Sequence, residues 1–157
     1  MARIISAFPG TGKSHFFRQH EATGLVLDSD SSGFSWVEKD GEKTRNPNFP
    51  ANYMNHIAEN VGGLGMGGVI LVSSHAEVRD ALVDHGHDFT LVYPRRALKD
   101  EYMQRFRDRG NPEAFVNLIG GKWDEFLDQL VAQESATHVE LGAGQYISDI
   151  VEPPRPH

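Results

Sequence analysis

Residues 1–14 decide the fold: Met1-Ala2-Arg3-Ile4-Ile5-Ser6-Ala7-Phe8-Pro9-Gly10-Thr11-Gly12-Lys13-Ser14. The apolar run Ala2–Ala7 reads as a buried strand. It enters the glycine-rich Phe8-Pro9-Gly10-Thr11-Gly12-Lys13-Ser14 directly, and an amphipathic stretch with Phe16 and Phe17 follows. Strand, glycine-rich loop and helix in that order are the context of a phosphate-binding loop. A phosphate chain needs inward-pointing backbone N–H groups, and a helix N-terminus adds partial positive charge. In such a loop Pro9, Gly10, Thr11, Gly12, Lys13, Ser14 and His15 surround the phosphates; Lys13 reaches the β/γ-phosphates and the Ser14 hydroxyl ligates Mg²⁺. Ala7 stands where the G-x-x-x-x-G-K-[ST] pattern has its first glycine. That position marks the strand exit and touches no phosphate, so the pattern reads as a nucleoside triphosphate site.

Further strand candidates alternate with helices. Gly24–Leu27 ends at Asp28, and Val69–Val72, Phe89–Tyr93 and His138–Leu141 look similar. Ser74-His75-Ala76-Glu77 reads as a capping box opening a helix that ends near Gly86. Pro50 begins another helix, in which Tyr53, Ile57 and Val61 keep helical spacing. Asn111-Pro112 opens a third, and Trp123, Phe126, Leu127 and Leu130 mark a fourth. The expected fold is a single α/β domain over residues 1–152, a five-stranded parallel sheet of order 2-3-1-4-5 with helices on both faces and a basic lid helix. The proline-rich tail 153–157 is expected to fray. Gly63-Leu64-Gly65-Met66-Gly67-Gly68 matches the dinucleotide fingerprint, but it precedes a strand instead of following one and reads as a connector.

Composition narrows the partners. The chain has 157 residues, a net charge of −7 and no cysteine, which fits a reducing, cytoplasmic compartment. No apolar run approaches the roughly 20 residues of a membrane span. The negative charge disfavours DNA as a partner, while a local basic patch leaves DNA open as an acceptor. The eight histidines lack metal-site spacing. His85 and His87 flank Gly86 at a helix end, where imidazoles cap carbonyls.

Three other groups carry candidate chemistry. Asp28-Ser29-Asp30 closes the second strand, where Asp28 would support Mg²⁺ and Asp30 would orient an acceptor hydroxyl and take its proton. Asp and Ser also favour turns, so the pattern alone is ambiguous. Arg95–Arg109 holds six basic and three acidic residues. On a helical wheel Leu98, Tyr102 and Phe106 share a face bordered by Arg105 and Arg109, while Arg107 points away. Between the second and third strands, Phe34, Trp36, Phe49 and Tyr53 could stack a base or sugar, with Arg45 or Asn52 on its polar groups.

The loop, the Asp-x-Asp, Val72-Ser73-Ser74-His75 at the end of the third strand and the basic helix after the fourth resemble, in this order, the small P-loop kinases. The layout is similar to the shikimate and gluconate kinase branch, with nucleoside monophosphate kinases as cousins, and to compact bacteriophage-encoded P-loop nucleotide kinases. The resemblance implies ATP and Mg²⁺, metal-side and acceptor-side roles for Asp28 and Asp30, and lid arginines, here Arg105 and Arg109, on the transferring group. The glycines or arginine that grip shikimate are replaced by Ser73, Ser74 and His75, which speaks against shikimate.

These readings predict a phosphotransferase with a small nucleotide-like acceptor: a nucleoside, nucleotide or modified-base hydroxyl such as a hydroxymethylpyrimidine. The alternatives are a (deoxy)nucleoside monophosphate kinase and a non-enzymatic nucleotide-binding module or slow ATPase. A guanine-reading Asn-Lys-x-Asp is missing from the sequence.

Overall fold

The computed structural model describes residues 2–29 and 36–154. Five parallel strands form one sheet: β1 (Arg3–Ala7), β2 (Val26–Asp28), β5 (Val69–Ser73), β6 (Phe89–Pro94) and β7 (Thr137–Leu141). Their spatial order is β2-β5-β1-β6-β7, which is the expected 2-3-1-4-5 when only these five strands are counted. At the carboxyl edge Ala7 is in register with Ser73 on one side and Val92 on the other. Asp28 lies beside Leu71. The chain leaves β1 toward β2 and β5, then crosses to β6 and β7. The crevice beyond the end of β1 is therefore a topological switch point, where such sheets take their ligands.

The strand residues are apolar on both faces because both are covered. Ile4, Ile70, Val72 and Leu91 pack with Tyr53, Leu82, Tyr102, Phe106 and Trp123 of helices α2 (Ala51–Leu64), α3 (Ala76–Asp84), α4 (Lys99–Asp108) and α6 (Trp123–Val131). Ile5, Leu71 and Val92 face the other way. They pack with Phe16 of α1 (Lys13–His20) and Ile147 of α7 (Ile147–Ile150). Helix α5 (Glu113–Gly121) packs against α4. No helix among the described residues is long and apolar enough to cross a membrane.

Three local details bear on the sequence reading. The polar stretch between the second and third strands contains a β-hairpin, β3 (Trp36–Lys39) and β4 (Glu42–Arg45). Asp40 and Gly41 turn it with φ of 55° and 79°, the pair of positive φ values that a two-residue hairpin turn requires. The Ser74–Glu77 capping box does not form. His75 is the N-cap of α3, without a side-chain cap bond, and Glu77 instead pairs with Arg45 of the hairpin. At the C-terminus, Arg3 donates to the carbonyls of Glu152 (2.7 Å) and Pro153 (3.3 Å), and Pro154 is buried. At its own helix end, the His85 Nδ1 lies 2.9 Å from the Ala81 carbonyl.

Candidate active site

The loop between β1 and α1 has its carbonyls tied back into the protein and its amides left free. Phe8 N donates to Val92 O at 2.9 Å. Thr11, fully buried, donates its hydroxyl to Phe8 O at 2.7 Å. The Thr11 carbonyl accepts from Ile147 N at 2.8 Å, and the Gly10 carbonyl accepts from Arg105 Nη1 at 2.7 Å. Gly10 and Gly12 adopt φ of 84° and 91°, which L side chains rarely tolerate. A Cβ on Gly12 would also sit 3.0 Å from the Tyr146 ring. Among the described residues the amides of Gly10, Gly12, Lys13, Ser14 and His15 find no acceptor. Converging amides at the start of a helix form an anion-binding concavity. Ala7 needs no special conformation, since it is a paired strand residue.

The loop floors a cavity of about 1110 Å³. That is at the upper end of the roughly 300–1,000 Å³ usual for a small-ligand site. Pro9, Gly10, Gly12, Lys13, Ser14 and His15 line it, whereas Thr11 shapes the loop from below. Ser73, Ser74 and His75 at the end of β5 form one flank. Gly144, Tyr146, Ser148 and Asp149 after β7 form the other, and Arg105, Asp108 and Arg109 belong to the end of α4.

Asp28 lies past β5 from the loop. Its Oδ1 is buried, makes no hydrogen bond, and faces Lys13 Nζ at 3.6 Å. A buried carboxylate oxygen without a hydrogen bond is costly, and Lys13 offsets only part of that. With the Ser14 hydroxyl, this donor set suits Mg²⁺, which takes one or two protein oxygens and completes its shell with phosphate and water. Asp30 and Phe34 lie outside the described residues.

The arginines of α4 separate by helical phase. Arg107 turns away and pairs with Glu113 at 3.0 Å. Arg109 is exposed at the cavity and has no side-chain partner among the described residues. Arg105 differs from its expected role as a free lid group. It is 9 % exposed and donates to Gly10 O, Glu101 Oε2 (2.9 Å) and Gln145 O (3.1 Å). Its guanidinium lies 4.4 Å from the Tyr102 ring centre and 3.9 Å from that of Tyr146. Glu101 in turn accepts from Gly144 N at 3.1 Å. With Tyr102 and Phe106 fully buried, α4 is a core helix whose end reaches the site. Beneath the loop, the Tyr102 hydroxyl is buried without a partner. Burial pushes its pKa up to about 12, partly opposed by the Arg105 charge.

The expected aromatic acceptor pocket does not assemble at the cavity. Tyr53 is fully buried and donates its hydroxyl to Ser29 O at 2.7 Å, so it supports the end of β2 and cannot stack a ligand. Phe49 stacks on Tyr53 at 6.1 Å, and Asn52 Oδ1 accepts from Tyr53 N. Arg45 lies over the rings of Trp36 and Phe49 at 5.5 and 4.9 Å. None of Trp36, Arg45, Phe49, Asn52 or Tyr53 lines the cavity.

Sequence reasoning missed Arg18 and Gln19 on α1 and the whole segment after β7. The signal for the latter was present: Gly142 and Gly144 directly follow a strand at the ligand-binding edge.

No family model matches the chain, and no curated protein does. Among solved structures the chain is similar to a gluconokinase from Sinorhizobium meliloti 1021, at 16% identity and a TM-score of 0.49, covering 96% of this chain and 86% of that one. At that distance the class of the protein rests on its own strand order and loop geometry: an α/β domain with a five-stranded parallel sheet and a glycine-rich loop of free amides at its switch point.

Proposed function

We propose that the protein is a P-loop phosphotransferase that moves the γ-phosphate of ATP to an alcohol on a small acceptor. The observation that carries this reading is the set of loop amides left unpaired among the described residues, with Lys13 facing the unbonded Asp28 oxygen, at one cavity of about 1110 Å³. The amides and Lys13 bind the phosphates and offset charge developing on them. Ser14 and Asp28 would hold Mg²⁺, which would supply positive charge to neutralise the phosphates. Arg109, exposed at the cavity and without a side-chain partner among the described residues, would act on the transferring group. Arg105 holds the loop in shape from behind.

The nucleotide-like acceptor of the sequence reading drew on stacked aromatics, which lie off the cavity. The acceptor is therefore proposed by its reacting group, with nucleosides and modified-base alcohols the first to try. Lys13→Ala tests the reading. Fluorescent ADP binding should weaken by about 100-fold, roughly 2.7 kcal/mol, and turnover should vanish while circular dichroism stays unchanged. A Lys13→Ala protein that binds and turns over like wild type would refute it.

A further inference from the structure

We propose that His75 is the group that receives the acceptor's hydroxyl proton, so that the β5 flank of the cavity takes an alcohol. The inference rests on the nucleotide reading above and adds a residue to it.

The sheet order places His75. β5 lies between β1, which carries the loop, and β2, which carries Asp28. A γ-phosphate held between Lys13 and Asp28 thus has the end of β5 beside it, since Ser73 is the register partner of Ala7. Gly144, Tyr146, Ser148 and Asp149 line the cavity on the opposite side of β1 from β5, and we lay the rest of the nucleotide there. The attacking molecule must come from the side opposite the leaving group, because the displacement is in line. That side is the Ser73–His75 segment.

The segment is fixed to a degree that an ordinary surface turn is not. Ser6 Oγ, fully buried, donates to Ser73 O at 2.8 Å. Arg79, only 5 % exposed, donates Nε to Ser74 O at 2.8 Å and its backbone N to His75 O at 3.0 Å. Gln133 Oε1 holds the same guanidinium at 2.6 Å. Burying an arginine to hold the Ser74 carbonyl and the Gln133 amide oxygen costs desolvation, and what it secures here is the position of a cavity wall.

The ring itself is oriented. His75 Nδ1 lies 3.1 Å from Ser73 Oγ. With Nδ1–H donating to that hydroxyl, Nε2 keeps its lone pair, and it has no partner among the described residues. The flank offers two hydroxyls and an imidazole but no arginine. Arg45, on the hairpin joined to α3, is paired with Glu77 and lies off the cavity. A phosphate acceptor brings two negative charges and calls for guanidinium groups. An alcohol calls for a single hydrogen-bond acceptor.

In the step, an acceptor oxygen lone pair forms the new O–P bond to the γ-phosphorus. The bond from that phosphorus to the β,γ-bridging oxygen breaks, and its electron pair leaves on ADP. The hydroxyl proton passes to His75 Nε2, which becomes imidazolium and returns the proton to solvent.

Water, the smallest hydroxyl acceptor, serves as the probe. With [γ-³²P]ATP, His75→Ala should release phosphate about 10- to 100-fold more slowly. Its Kd for fluorescent ADP should stay within about twofold of wild type. His75→Gln can accept a hydrogen bond but cannot take a proton, and should remain nearly as slow. The ring is exposed, so neither variant threatens the fold. In ¹⁵N-histidine spectra the His75 resonance should move with Mg·ATPγS and not with Mg·ADP. Hydrolysis unchanged in His75→Ala, full rescue by His75→Gln, or a resonance blind to the γ-phosphate would each overturn the proposal. Normal ADP binding by Lys13→Ala would bring down the nucleotide reading, and this inference with it.

Discussion

Arg105→Ala separates the two roles that an arginine at the end of α4 can have. The side chain is nearly buried, donates to two backbone carbonyls and a carboxylate, and lies between two tyrosine rings. Hydrogen bonds from a charged group contribute about 1.5–3 kcal/mol each, and a desolvated cation–ring contact about 2. Recovered desolvation of the guanidinium opposes them. Breaking a buried set of this kind costs about 3 kcal/mol net, or about 6–12 °C in Tm for a domain of this size. The functional effect follows from Gly10. Without its donor the Gly10 carbonyl can turn toward the anion seat, and ADP affinity should fall by about tenfold, 1.4 kcal/mol. ADP has no γ-phosphate, so an arginine acting only on the transferring group would leave its affinity untouched. Calorimetric titration of ADP into folded protein at 15 °C, below the lowered Tm, gives the answer. Arg105→Lys keeps the charge but not the planar fork, and should recover less than half of the loss. Wild-type ADP affinity in Arg105→Ala, together with a collapsed kcat, would refute the strut and restore the lid role.

Arg109→Ala should lower kcat by about ten- to a thousand-fold with ADP affinity unchanged, while Arg107→Ala, which loses only an exposed pair with Glu113, should behave as wild type; equal effects in steady-state assays would defeat the phase argument. Tyr102→Phe removes a buried hydroxyl that has no partner and should raise stability by about 1 kcal/mol in urea titration, with turnover intact. The raised Tyr102 pKa stabilises the fold fully below pH 10.0, its unperturbed value, and that contribution is lost as pH rises through about 12. It amounts to about 2–3 kcal/mol, so alkaline unfolding should shift to higher pH in Tyr102→Phe; an unchanged midpoint would show that Tyr102 does not titrate as described.

The sheet, its order and the glycine-rich loop were legible in the chain because their signals are local. A strand such as Ile4–Ala7 is apolar whatever it packs against, and only glycines suit the backbone of residues 10 and 12. Helical phase alone placed Arg107 on the far side of α4 from Arg105 and Arg109. The hairpin was not read, because its strands Trp36–Lys39 and Glu42–Arg45 are mostly polar. Which face of a buried group does the work was decided by tertiary structure. Tyr53 and Arg105 carry the residue types of ligand contacts, yet Tyr53 is spent on Ser29 and Arg105 on Gly10. Those partners lie 24 and 95 residues away in sequence, and no periodicity or spacing encodes a contact at such distance. The reverse holds for Ser73–His75 and Gly144–Asp149. Plain as sequence, they become the two walls of the site because β5 and β7 end at the same edge as β1, and parallel pairing sets that edge only once the whole sheet has formed.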